Sequence, residues 1–330
     1  MTVPAERKPS ERGAALLTVL LLVAVIAVLA GTALERLRLA TRLGSNAVAL
    51  DQARAYSLAA ETLAVVKVSD LLRRSPDKVT LQGGWSDTPF ALPIPNGAAS
   101  ARVVDGGNCF NLNSLVTETP VGSGVYAADT AAQLQFVRLI RLVDPEARSP
   151  EAIAAATADW IDSDDAPLSG GAEDKDYRGG APPYRTANTL MSDPSELRAV
   201  LGVTRVDYDR LRPWLCALPS AAPSRINVNT LLPEQAPLIA MLGQTLSSEI
   251  VRQVLLRRPM AGFASADAFW SQAALAGGSG EGAALTDIKT TWFALKVDVR
   301  VGSATLEQTG LIDANVLPAR LVSRQWGEPS

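Results

Sequence analysis

The hydrophobic pattern of the chain begins with one unbroken block. Residues 13–34, GAALLTVLLLVAVIAVLAGTAL, carry no charge and lie between Arg12 and Glu35. As a helix rising ~1.5 Å per residue the block reaches roughly 33 Å, enough to cross a hydrocarbon core of about 30 Å. A cleaved secretory signal is the alternative. The block is longer than the roughly 7–15 apolar residues of a signal core, and no A-x-A site comes after it before Glu35. It is expected to stay in the protein as a single membrane span. Behind it the pattern turns amphipathic and contains no proline before Pro76. Leu34, Leu37, Leu43, Ala47, Leu50, Ala53, Ala60 and Leu63 approximate one helical stripe. This predicts a single helix from about Ala14 to Arg74, stopped by Ser75-Pro76.

Two later regions switch to alternation. Phe90–Ile94 and Ala98–Val104 flank Pro95-Asn96-Gly97 and predict a hairpin. Near the C terminus, TWFALKVDVRV places Phe293, Leu295, Val297, Val299 and Val301 on one face and Lys296, Asp298 and Arg300 on the other. Gly302-Ser303 would turn that strand into Ala304–Ile312, with Val316–Val322 as a further strand. Helical signals fill the interval. Asp129, Ser149, Asp193, Thr204, Thr230, Ser247 and Ser265 each precede a helix-forming run, and Pro150 and Pro194 sit at first-turn positions.

Composition narrows the chemistry. Histidine is absent from all 330 residues. That excludes Ser-His-Asp and Cys-His catalysis and histidine-ligated zinc. Nucleotide-binding glycine motifs and G-x-S-x-G are also missing. The net charge of −3 gives no global attraction to nucleic acid.

The densest candidate chemistry is Asp159–Arg178, with seven carboxylates against Lys175 and Arg178. Like charges gathered in a small volume need a counter-charge. Calcium, which takes six to eight oxygen ligands in flexible geometry, is one solution, and a solvated acidic loop is the other. The spacing is not that of an EF-hand, because it fails at Ala166. Two carboxylates of a glycosidase would be a further use of such residues, although no aromatic-lined cleft is suggested beside them.

A short charged leader ending in Gly13, an apolar helix directly behind it and an amphipathic continuation resemble a type IV pilin or type II secretion pseudopilin. The usual fifth mature residue of those families is glutamate, and here it is Thr18. Minor pseudopilin K regularly lacks that glutamate. The segments W-I-D-S-D-D, G-G-A-E-D-x-x-Y, P-P-Y-R-T-A-N, S-E-L-R, F-N-L-N-S-L and L-C-A-L-P also resemble that family. The resemblance implies cleavage after Gly13, methylation of Ala14 as the new amino terminus, and a structural calcium ion. Asp162, Asp164, Asp165, Glu173 and Asp174 are the candidate ligands, with Asn188 tying the loop to the following helix.

The same resemblance implies an α+β fold: a pilin-like long N-terminal helix packed on an antiparallel sheet, with a large all-α domain inserted into the sheet. Residues 1–13 would be the leader and 14–34 the membrane part. Residues 35–124 and 286–330 would form the pseudopilin domain, and 125–285 the inserted domain. It further implies the bacterial inner membrane, with the short N terminus cytoplasmic and the body periplasmic. The implied partners are minor pseudopilins I, J and H, the major pseudopilin, the prepilin peptidase and the inner-membrane assembly platform. An oxidising compartment favours a Cys109–Cys216 bridge over two buried thiols. Residues 225–270, from R-I-N-V-N-T to A-S-A-D-A-F, also look like a helix-hairpin-helix module. A membrane-anchored DNA receptor and a minor type IV pilin are therefore the alternatives. The charge of this stretch, near +1, makes nucleic acid the weaker expectation.

Overall fold

A computed structural model describes residues 9–179, 182–275 and 279–327. Most of the expected leader, residues 1–8, lies outside them. Helix α1 runs unbroken over Pro9–Arg74, 66 residues, and the Ser75 amide still bonds the Leu71 carbonyl. At ~1.5 Å per residue it is about 100 Å long.

Strands β1 (Phe90–Leu92), β2 (Gly97–Asp105), β3 (Trp292–Val301), β4 (Ala304–Asp313) and β5 (Arg320–Trp326) form one sheet, laid out in that order. Every neighbouring pair is antiparallel. The alternation of β3 holds over its whole length, with Phe293, Leu295, Val297, Val299 and Val301 buried. Gly302, at φ +54°, supplies the left-handed turn into β4. The last strand begins four residues later than Val316 suggested. Pro318 lacks the amide that a strand ladder needs, and Asn315 folds back onto the Asp313 carboxylate.

The sheet packs on the C-terminal half of α1, through Ala53 and Ala60 of the expected stripe and with Leu50 partly buried against it, but not through the other expected leucines. The buried stripe is Ala53, Ser57, Ala60, Ala64, Val68 and Leu72. Leu34, Leu37, Leu43 and Leu63 stay exposed. Small side chains let the strands approach the helix closely, and the face is then locked by polar contacts. The Ser57 hydroxyl bonds Gln308 at 2.5 Å, and Glu61 accepts from Gln308 at 2.9 Å and from Arg324 in two bonds of 2.7 Å.

Everything between β2 and β3 is inserted, and because those two strands are neighbours both ends of the insertion meet. Its main helices are α2 (Thr130–Val143), α3 (Pro150–Ile161), α4 (Asp174–Tyr177), α5 (Arg205–Leu211), α6 (Pro237–Ala240), α7 (Ser248–Leu256), α8 (Ala266–Trp270) and α9 (Ser279–Ala284). Asp129, Thr204, Ser247 and Ser265 cap as their positions suggested. Ser149 stands at the cap of α3 without a side-chain bond, and Asp193 opens a six-residue 3-10 turn, Pro194–Ala199. Thr230 opens no helix; its hydroxyl is used elsewhere. The body is not wholly helical, since Phe110–Asn111 pairs with Leu215–Cys216 and Ile226–Asn227 with Thr286–Asp287. Nor does its core start at 125: Phe110, Leu112, Leu115 and Val116 pack with Phe136, Ile140 and Ile161. Cys109 and Cys216 are disulfide-bonded at the base of this body.

Candidate metal centre

The acidic loop hangs from the end of α3. Asp162 is the residue that ends that helix, with its amide on the Ala158 carbonyl. Asp159, one turn earlier and fully buried, organises the loop beyond the helix end. Its carboxylate accepts from the Leu168 amide at 3.2 Å and the Ala172 amide at 2.8 Å, so it closes the loop on itself. A Cβ on Gly171 would stand 1.9 Å from an Asp159 oxygen, which is why a glycine occupies that position. Burial, with the Asp164 and Asp176 charges adding to it, pushes Asp159 up to about 6. Beside the loop Trp160 meets Tyr177 and Tyr184 edge-on and the two tyrosines meet at a tilt, at centroid distances of 5.3–6.1 Å.

Of the five candidate ligands the loop gathers three. Oxygens of Asp162, Asp164 and Glu173 all lie within 4.8 Å of one another, with Asp162 and Glu173 buried and Asp164 exposed. One oxygen each of Asp162 and Glu173 is buried without a hydrogen-bond partner. Burial, reinforced by the neighbouring carboxylates, pushes both groups up to about 7. Three convergent oxygens, with two of the contributing carboxylates each orphaned at one atom, fit a hard cation. Asp165 is exposed and outside this group. Asp174 is spoken for: Arg178 reaches it at 2.9 Å and Arg185 at 3.6 Å, and the Thr186 amide and hydroxyl donate to it at 3.1 Å. Asn188 ties the loop backward rather than forward, through its amide on the Trp160 carbonyl at 3.1 Å.

The sequence profile described as type II secretion system (T2SS), protein K, matches residues 108–220 in its first part and 226–291 in its second. Type II secretion system protein K of Pectobacterium carotovorum subsp. carotovorum is 34% identical over 96% of this chain and 97% of its own. The protein of that name from Aeromonas hydrophila is 37% identical over 88% and 89%. The chain belongs to the type II secretion protein K family. A crystal structure of the GspK–GspI–GspJ complex from enterotoxigenic Escherichia coli contains a chain that superposes with a TM-score of 0.74. That match has 30% identity and covers 84% of this chain and 97% of that one.

Two short motifs of this protein K chain act as clips that sequence reasoning did not identify. In F-N-L-N, Asn111 donates to the carbonyls of Ser220 and Ala222 and accepts from the Leu218 amide. Asn113 donates to Met191 and Leu218 and accepts from the Met191 amide at 2.7 Å. I-N-V-N repeats the device. Asn227 donates to the Val79 carbonyl and the Thr290 hydroxyl, and Asn229 exchanges bonds with both backbone groups of Phe263. The shared spacing, apolar-Asn-apolar-Asn, was the available signal.

The second clip belongs to a seam between the two bodies. Asp105, at the end of β2, accepts from the Gly107 amide at 2.9 Å, from the Thr230 hydroxyl at 2.5 Å and from the Thr290 hydroxyl. Burial outweighs these bonds and pushes it up to about 6. Three of the four arginines of the helix-hairpin-helix-like stretch are engaged within the fold. Arg258 donates to the Val228 and Leu231 carbonyls at 2.9 and 2.7 Å, Arg225 pairs with Asp287, and Arg252 with Glu249.

Proposed function

We propose that this protein K acts as the minor pseudopilin at the tip of the type II secretion pseudopilus, starting assembly with pseudopilins I and J. The observation that carries the reading is the superposition over most of the chain on a member of a GspK–GspI–GspJ complex. The outer face of α1 supports it, because Leu58, Leu63 and Val66 remain exposed on the half that packs on the sheet and offer apolar surface to partner helices. Pseudopilin H, the major pseudopilin and the assembly platform would be met as the filament grows. Thr18 suits a terminal subunit, which has no amino terminus above it to neutralise. The peptidase would cut after Gly13 and leave Ala14 as the methylated first residue. The apolar block would cross the inner membrane with the leader cytoplasmic and the disulfide-bonded body periplasmic. The chain would act by assembly rather than catalysis.

Calcium is the cation we assign to Asp162, Asp164 and Glu173. When bound it supplies the positive charge that two buried carboxylates otherwise lack, and it fixes the loop against α3. Asp159 holds the loop's own backbone in place through Leu168 and Ala172.

Native mass spectrometry of the full chain in detergent, mixed with pseudopilins I and J and with short duplex DNA, tests the reading. A complex with both pseudopilins that carries calcium mass, lost on chelation, is the expected result. A DNA complex without pseudopilin binding would overturn it in favour of the anchored receptor.

A further inference from the structure

Helix α1 leaves the apolar block with three exposed arginines, Arg36, Arg38 and Arg42, all within eight residues of Leu34. Glu35 is the one acid in residues 35–50. Among the described residues no ion pair engages any of the three, although pairs hold arginines farther along the same helix. The helix is continuous here, so their heights are fixed: about 3, 6 and 12 Å beyond Leu34. Direction matters as much as height. Cα–Cβ bonds of a helix tilt toward its N terminus, and the N terminus of this helix is the end in the membrane. The arginines therefore lean back toward the bilayer, and the polar layer waiting there is about 5–8 Å deep on each side. Guanidinium forks match phosphate oxygens in pairs of hydrogen bonds.

We propose that Arg36, Arg38 and Arg42 form a collar that binds anionic phospholipid phosphates in the leaflet on the side of the soluble body and sets the depth of the anchor. The collar opposes withdrawal of α1 from the bilayer, so it adds a step that assembly must overcome. The inference goes beyond the tip reading and rests on residues 13–34 spanning the membrane.

The full chain is reconstituted in nanodiscs of phosphatidylcholine with phosphatidylglycerol, and the lipids it retains are counted by native mass spectrometry. Phosphatidylglycerol is expected to be enriched, to fall by about fivefold for each arginine changed to glutamine, and to weaken with salt. A triple Arg→Lys variant should keep most of the enrichment, which separates charge loss from misfolding. No enrichment in the parent, or an unchanged value in the triple Arg→Gln variant, overturns the collar. Unchanged lipid retention with lost binding of pseudopilins I and J would also overturn it, by making the arginines a protein contact. A chain that fails to enter the discs sinks the span and the collar together, an outcome distinct from entry without enrichment.

Discussion

Two carboxylate sites in this molecule are withdrawn from water, and they settle their charge in opposite ways. At the seam, Asp105 faces two hydroxyls and an amide, and each of its oxygens has a donor. In the loop, Asp162 and Glu173 are buried, lie beside Asp164, and each leave an oxygen with no partner. Both sites titrate upward through burial. What separates a structural carboxylate from a cation ligand is therefore the set of donors around it. A satisfied acid organises the backbone beside it, whereas an orphaned group is completed only by something from outside.

The largest effect should come from the satisfied site. Asp105→Ala leaves the Thr230 and Thr290 hydroxyls and the Gly107 amide short of an acceptor at the junction of the two bodies. A loss of about 2–4 kcal/mol in urea unfolding is expected, equal with and without calcium. If the loss depends on calcium, the two sites are coupled and the contrast fails. Next comes the cation site. Calcium at a hundred times its dissociation constant should stabilise the parent by about 2.7 kcal/mol. In the Asp162→Asn, Glu173→Gln double variant a thermal scan should show no calcium shift.

A pH series sharpens the contrast further. Asp162 and Glu173 have folded values raised to about 7 from ordinary carboxylate values. Without metal their contribution to stability is full in acid and is lost as pH rises from about 4 to 7, because the folded chain binds the extra protons. Calcium holds both groups ionised, so its stabilising shift should grow as pH rises over the same window. Asp105, raised to about 6, gives a decline from about 4 to 6 that calcium leaves in place. The profiles with and without calcium should therefore diverge toward neutral pH. Parallel profiles would mean that Asp162 and Glu173 do not meet the ion.

What the sequence revealed and what it hid divide along the range of the interaction. The uncharged block, the alternation of β3, the caps at Asp129 and Thr204 and the acidic loop are local signals, and each is written within a few residues. The buried face of α1 is written there only in part. Ala53 and Ala60 belong to the stripe that periodicity predicts, whereas Ser57, Ala64, Val68 and Leu72 are inside because the sheet comes close, and Leu63 of the predicted stripe remains outside. Asn111, Asn113, Asn227 and Asn229 carry no local sign of their role because their partners lie as far away as Met191 and Val79. Thr230 looks like a helix cap for the same reason: its true partner, Asp105, is 125 residues upstream. Within the loop, the family resemblance nominated five ligands equally. Only the fold shows that Asp174 already faces two arginines while Glu173, its neighbour, faces none.

That pair of neighbours supplies the smallest effect and the finest test. Partial burial would raise Asp174, but the bonds from Arg178 and Thr186 outweigh it and hold the carboxyl below its ordinary value. An ion pair so placed contributes little, because water screens it and two long side chains must be ordered to form it. Asp174→Asn keeps an oxygen for the Thr186 hydroxyl and should lower the melting temperature by no more than about 2 °C. The calcium shift should survive in full, whereas Glu173→Gln alone should lose most of it. Should Asp174→Asn remove the calcium shift as well, the arginines would have to give up that carboxylate when the ion arrives. The donors of the metal-free loop would then have failed to tell a satisfied acid from a ligand.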